Sequence, residues 1–448
     1  MADLKDIKES STVVERRNVV LICLGIFVGS FIALYNTWGQ GQGLFFVAEF
    51  SILITLSLIR PKYAVGFFVF LLLSRPWETF DNQMMSSMPR DISYLAILSV
   101  GCHKIISRDF YFRFNFGTLM TLLFGLWMLL SAIVAPHSEV AVEEYMNILS
   151  KGIIVFILIQ NSLKKVNDFK PLKTALVFGI LEKCCVSFYQ SYFMGDKGID
   201  VASERLVSVG ILSNSNDIAA IFVLAVPFCL FYILKSNLRP FHWPVAIISV
   251  GIMSTLIWQA QSRGAVLGLA AALGSYALVK VTNKRTLGFI GAGCFLVALL
   301  IMGKMSRSAS DLGESQSNRI VFMKAGVNMA IRNPLFGVGF WGFNENLSSY
   351  IVDGDSSSEK KMSAHSSWVL ALAEGGFIGL FSFLGIWIYA FLCSWRIRIL
   401  EPEYLMAIIG YGVTCTFLSH TYLLYPYILL AIIITHFHIL KENEQLPQ

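Results

Sequence analysis

Few side chains in this 448-residue sequence could do chemistry, because only 14% of its residues are charged. The ones that stand out adjoin long apolar runs. Arg263, in Gln261-Ser262-Arg263-Gly264, lies between two such runs, with Arg205 before it and Arg319 after it. A charge at membrane depth is costly unless it is paired or hydrated. The functional reason to keep a guanidinium there is to bind an anion, since its fork of donors grips phosphate oxygens bidentately. The structural alternative for all three arginines is an interfacial position or an ion pair. His365, in Ala364-His365-Ser366-Ser367-Trp368, stands where a polar stretch meets an apolar run. A neutral imidazole there can take a proton from a hydroxyl near pH 7. A lone histidine at a helix start is more often structural. The three arginines, predicted on the same side of the membrane, favour the functional reading, with His137 and His420 as competitors.

Other polar residues have evenly balanced readings. Asn214-Ser215-Asn216-Asp217 precedes an apolar run. It reads either as a helix cap or as a contact to a sugar or phosphate through Asn216. Glu374 follows His365 by nine residues, which at 100° per residue puts the two on opposite faces of a helix. A hydrogen bond within the bundle suits Glu374 better than pairing with His365. Glu182-Lys183 lies mid-run, and Glu49 and Lys151 lie near the outer ends of theirs. Each could form a structural ion pair or part of a proton or ion relay. The eight cysteines all fall in apolar runs without a CxxC pair, so packing is expected of them rather than metal binding or disulfides. The sequence holds no P-loop, HExxH or GxSxG motif and no cluster of metal ligands, so it calls for no cofactor. It also shows no basic patch interleaved with aromatics, so no nucleic acid partner is expected.

The elements that position these residues are membrane helices. The chain is 55% hydrophobic, with a mean hydropathy of +0.64. Soluble proteins carry about 25% charged residues, and disordered chains are richer still in charge. Both classes are excluded. Apolar runs of membrane-spanning length recur along the chain, near 19–35, 44–59, 63–75, 92–106, 116–134, 147–163, 174–194, 217–234, 243–260, 264–280, 286–303, 367–393, 404–419 and 422–439. The fold expected is all-α: a polytopic bundle of 12–14 spans with one large external loop containing short helices. The first run follows Glu15-Arg16-Arg17 and lacks a small-residue cleavage site, so it reads as a retained helix. With the N-terminus inside, 21 of the 35 Lys and Arg residues fall on inside segments and five on short outside ones. Positive charge is retained in the cytoplasm. The prediction is therefore that both termini are cytoplasmic and that residues 304–366 lie outside, between membrane helices at 1–303 and 367–448.

Within that loop, Ser306–Ser317 reads as irregular and Asn318–Arg332 as a helix stopped by Asn333-Pro334. The Gly- and aromatic-rich stretch Pro334–Phe343 reads as backbone packed closely at the membrane surface, and Asp353–Lys361 as a polar, flexible segment. An external enzyme has no access to cytoplasmic nucleotide sugars or ATP. A lipid-borne substrate that carries its own leaving group would remove that difficulty.

These residues together resemble the O-antigen ligase and polymerase superfamily of bacterial envelopes. The resemblance runs through Gly210-Ile211-Leu212-Ser213-Asn214-Ser215-Asn216, Ser262-Arg263-Gly264-Ala265 and Asn318-Arg319-Ile320. It continues through Pro334-Leu335-Phe336-Gly337-Val338-Gly339, His365-Ser366-Ser367-Trp368 and Glu374-Gly375-Gly376. It spans roughly residues 200–395. It implies about a dozen spans in the bacterial inner membrane, a large periplasmic loop, and a metal-independent glycosyltransferase without a cofactor. The donor implied is a glycan on undecaprenyl diphosphate, and the acceptor is a lipid A–core sugar for a ligase or a growing glycan for a polymerase. Arg263 and Arg319 match the family's diphosphate-holding arginines, joined by Arg205, and His365 matches the histidine that activates or positions the acceptor hydroxyl. The family's histidine is often followed by Asn, where this chain has Ser366. A protein O-glycosylating enzyme would use the same donor. A transporter of the lipid-linked glycan would instead depend on Glu182 and Lys183.

Overall fold

The computed structural model describes residues 51, 55, 61–75, 88–193, 199–200, 205–206, 214–235, 242–305, 309–351 and 364–445. In chain order these form α1 (Pro61–Ser74), α2 (Met88–Ile106), α3 (Phe116–Ile133), α4 (Ser138–Glu144), α5 (Ser150–Ser162) and α6 (Phe169–Phe193). A two-residue antiparallel pair follows, β1 (Ile199–Asp200) with β2 (Arg205–Leu206). The rest is helical again: α7 (Ser215–Lys235), α8 (His242–Gln259), α9 (Arg263–Ser275), α10 (Ala277–Lys280), α11 (Lys284–Gly303) and α12 (Ala309–Arg332). The series ends with α13 (Phe343–Tyr350), α14 (Ser367–Arg396), α15 (Pro402–Cys415) and α16 (Leu424–Glu442).

The protein is helical, as its composition requires. Twelve of the predicted apolar runs overlap described helices. The runs at 19–35 and 44–59, the latter with Glu49, lie outside the described residues apart from Ser51 and Thr55. Among the described residues, α3, α11, α14 and α16 are long and apolar enough to cross a membrane. Two helical runs are shorter than predicted. The run 264–280 breaks between α9 and α10, and the run 404–419 ends at Cys415.

One prediction fails outright. The Ser-rich stretch before Asn318 is not irregular, because α12 already begins at Ala309. Ser and Asp compete with helix by bonding to their own backbone. Here the propensity of a few residues gives way to a long helix that packs on α14 through its C-terminal half. Among its described residues, the 304–366 segment holds one long helix and one short one. Asp353–Lys361 lies outside the described residues.

Contacts divide the chain into two compact units, residues 1–113 with 158–179, and residues 114–157 with 180–448. In the first unit α1 packs on α2 and on the start of α6. In the second, α16 is apolar on every side and almost wholly buried, which makes it the centre of the bundle. The still more apolar α11 is almost wholly exposed, as suits a lipid-facing helix. Around α16 pack α14 and α15, and α15 in turn carries α7 and α9.

The Gly-rich stretch after α12 has a mechanical role in this second unit. Helix α14 is broken at Gly376, whose backbone (φ 63°, ψ −162°) is open only to glycine. The break frees main-chain groups, and the 334–339 segment occupies them. The Val338 amide donates to the Ala373 carbonyl (2.8 Å) and the Phe377 amide to the Pro334 carbonyl (2.9 Å). A Cβ on Gly337 would stand 2.0 Å from the Ala373 carbonyl oxygen, so the approach needs a residue without a side chain. Helix α3 closes the joint. Trp127 stacks on Phe336 at 4.6 Å, and the Ser131 hydroxyl donates to the carbonyls of Glu374 (2.6 Å) and Phe336 (3.1 Å).

Candidate active site

Glu374 belongs to this joint. Its Oε1 accepts from the Phe343 amide (3.0 Å) and its Oε2 from the Tyr422 hydroxyl (2.6 Å), with the whole residue buried. The two bonds tie α13 and the loop after α15 to α14. Its role is the hydrogen bond within the bundle that the helix-face argument favours.

The candidate chemistry lies at the same end of α14, just before its first turn. His365 and Ser366 lead into the helix. His365 holds a left-handed backbone (φ 49°), and Ser366 caps the helix by accepting from the Val369 amide. The same device opens α9: Gln261 is left-handed (φ 49°), and Ser262 caps by accepting from the Ala265 amide. In both places a residue in a conformation that L side chains seldom adopt precedes a serine cap. In the first case the left-handed residue is the candidate His365 itself, and in the second the candidate Arg263 follows the cap.

The half-buried His365 ring stacks on Phe322, with centroids 6.3 Å apart. Phe322 stands three residues after Arg319 on α12, on the same helix face. Arg319 is close enough to act on the imidazole electrically, as is Asp217 from the first turn of α7. The pKa of His365 is lowered, chiefly by burial and then by Arg319, while Asp217 opposes the shift. The ring is thus held neutral, which is the form a general base needs.

Asp217 has a second histidine. Nε2 of the buried His420 stands 3.0 Å from its carboxylate, and Nδ1 of His420 stands 2.8 Å from the Tyr411 hydroxyl. A carboxylate can only accept, so Nε2 donates to it, and in the neutral ring Nδ1 is left to accept from tyrosine. The loop that holds His420 is pinned to the start of α14, because Ser367 donates its hydroxyl to the Leu418 carbonyl (2.6 Å) and accepts from the His420 amide (2.9 Å).

Arg263 begins α9 against this same loop, where Gly264 rests on Phe417. Its Nε is buried without a hydrogen-bond partner, as are side-chain oxygens of Gln259, Gln261 and Ser419. Buried polar atoms are normally satisfied. Gln259 and Gln261 precede Arg263 by four and two residues, and Ser419 lies in the loop beside the start of α9.

The structure therefore gathers Arg319, His365 and Asp217, and sets the start of α9 beside the loop of His420. Arg205 falls in β2, register-paired with Asp200, and its side chain lies outside the described residues. Asn216 sits in a cap: its amide donates to Asn214 Oδ1 at 2.9 Å. His137 is apart, in an exposed pair with Glu345 at 3.6 Å. Lys183 is buried in α6, and Glu182 keeps one carboxylate oxygen buried without a hydrogen-bond partner. Sequence reasoning missed the Asp217–His420–Tyr411 chain, since Asp217 and His420 are 203 residues apart. It could have found Phe322 from its three-residue spacing to Arg319. Among the described residues no group of three or more His, Cys, Asp or Glu could hold a metal ion, and the described cysteines are unpaired.

The fold and this end of the bundle define a helical membrane protein with cationic and basic groups converging beside a helix start. Residues 206–384 match the family model described as O-antigen ligase, so this part of the chain is similar to that family. None of the curated proteins compared with it matches the chain.

Proposed function

We propose that this protein is an inner-membrane glycosyltransferase that moves a glycan from undecaprenyl diphosphate to a sugar of lipid A–core, as an O-antigen ligase does. The observation that carries the reading is the meeting of Arg319, Asp217 and a neutral His365 at the cap of α14, inside the part of the chain similar to that family. Arg263 and Arg319 bind the donor diphosphate, with Arg205 and Asn216 as further contacts. His365 takes the proton of the acceptor hydroxyl. The acceptor oxygen bonds to the anomeric carbon as the bond from that carbon to the diphosphate oxygen breaks. Undecaprenyl diphosphate leaves with the electron pair, and the arginines stabilise its charge in a poorly hydrated site. A single displacement of this kind inverts the anomeric centre.

The Lys and Arg distribution supports cytoplasmic termini, with the site and residues 304–366 on the periplasmic side. Lys235, at the far end of α7 from Asp217, lies among Glu401, Glu403 and the Leu400 carbonyl, so basic and acidic groups gather at the end opposite the site.

The test uses membranes given purified undecaprenyl-diphosphate glycan and lipid A–core. Wild type is expected to yield glycan-bearing lipid A without added metal or ATP, and His365→Ala to yield none. A wild-type protein that lengthens the donor glycan and leaves lipid A untouched would establish a polymerase instead. One that makes neither product from intact donor and acceptor would remove the transferase reading and favour a transporter.

A further inference from the structure

The first compact unit carries a polar cleft for which the transferase reading has no use. The cleft has a volume of about 230 Å3 and lies where α1 begins and α2 and α5 end. Lys62, Lys104, Lys164 and His103 line it, against only two carboxylates, Asp109 and Asp168. Neither carboxylate is free. Asp168 accepts from Lys62 (2.9 Å) and from the amides of Lys164 (3.1 Å) and Lys165 (2.9 Å), and Asp109 accepts from Lys164 and from the Tyr111 amide. Lys104 has no direct carboxylate partner. Its ammonium donates to the Tyr111 carbonyl (2.6 Å), with Asp109 near enough to attract it and Lys164 and Arg113 near enough to repel it.

A second observation is independent of charge. Ser162, at the end of α5, is 8% exposed, lines the cleft, and its hydroxyl has no hydrogen-bond partner. A buried hydroxyl left open costs about 1–3 kcal/mol, so a ligand oxygen in the cleft would be favoured.

A third observation says what kind of anion fits. Lys62 also lines an apolar groove of about 540 Å3 that runs down α1 past Gly66, Phe67 and Phe70 and along α6 past Pro171 and Phe178. Beside the cleft, Phe110, Tyr111 and Phe112 are exposed, as aromatic residues at a membrane–water boundary are. A cationic cleft that opens into an apolar groove at that level suits an amphiphile with a negative head.

We propose that this cleft and groove form a binding site for an acidic phospholipid, with its phosphate among Lys62, Lys104 and the Ser162 hydroxyl and an acyl chain along α1 and α6. The site stands apart from the transferase reading and survives its failure.

The experiment uses the full chain in nanodiscs of phosphatidylcholine with or without phosphatidylglycerol. Phospholipid retained after extraction is measured by native mass spectrometry, and thermal stability is measured in parallel. Wild type is expected to retain phosphatidylglycerol selectively and to melt higher with it. Lys104→Gln, which breaks no ion pair, is expected to lower retention about fivefold, and Ser162→Ala to lower it less. If Lys104→Gln elutes as aggregate, Ser162→Ala decides alone. Inorganic phosphate that protects wild type in phosphatidylcholine discs as well as phosphatidylglycerol does would overturn the lipid as occupant and leave a soluble phosphate. Equal retention of both phospholipids by wild type, or retention unchanged in both variants, would overturn the site.

Discussion

Glu374 and Arg263 are both charged residues in the second unit, and the fold treats them in opposite ways. Glu374 has each carboxylate oxygen occupied, by the Phe343 amide and the Tyr422 hydroxyl. Arg263 has a buried Nε with no partner, and buried unpartnered oxygens of Gln261 and Ser419 belong to the turn before it and the loop beside it. A satisfied buried charge joins elements together, and its removal costs stability. The half-buried Arg263 keeps an open Nε that a ligand could occupy, so its removal is expected to cost function more than stability. Ionisable residues at similar depth are alike in sequence. Their hydrogen bonds separate them.

The largest expected effect lies on the Arg263 side. Arg263→Ala should reduce glycan transfer by about 10²–10³, the usual cost of losing a group that stabilises developing charge. The melting temperature should be nearly unchanged. Arg263→Lys should restore little, because an ammonium cannot grip two phosphate oxygens at once. A stability loss in Arg263→Ala as large as its activity loss would erase the contrast with Glu374.

The Glu374 side should show the reverse. Glu374→Ala leaves the Phe343 amide and the Tyr422 hydroxyl unpaired in a buried place, at about 1–3 kcal/mol for each group. The expected result is a lower melting temperature in detergent, with transfer per folded molecule preserved. Glu374→Gln keeps an acceptor for Phe343 and should lose less. If Glu374→Gln folds like wild type but fails to transfer, Glu374 belongs with the reacting groups after all.

The smallest effect sharpens the site itself. The pKa of His365 is lowered, so its neutral form persists as pH falls below the ordinary histidine midpoint of ~6.5. Arg319→Gln removes one cause of that lowering, and the acid limb of the pH–rate profile should move to higher pH. Asp217→Asn removes the opposing influence and should move the limb lower. Limbs that stay put in both variants would mean that His365 is not the titrating base.

Sequence reasoning reads much of the local scaffold correctly, because local scaffolding follows from composition and spacing. The boundaries of α11 and α14 follow from apolar runs flanked by Asn283 and Ser366, whose side chains accept from Arg285 and Val369 amides. The Gly337-Val338-Gly339 stretch signals close backbone approach, and the structure supplies its partner, the break in α14 at Gly376. The start of α12 at Ala309 is not legible in the same way. Its small polar residues favour no helix by themselves, and the described packing that holds α12 on α14 lies in its C-terminal half.

The sequence by itself determined that this is a helical membrane protein, since a chain so apolar cannot satisfy its backbone in lipid except within helices or a closed barrel. It also singled out Arg263, Arg319 and His365, because ionisable residues beside apolar runs are costly and therefore few. Only the tertiary structure decided that Asp217, 203 residues from His420, bridges toward both histidines, and that the Phe343 amide and the Tyr422 hydroxyl are the partners of Glu374. Those assignments depend on distances of about 3 Å between helices far apart in sequence, and no local pattern encodes them.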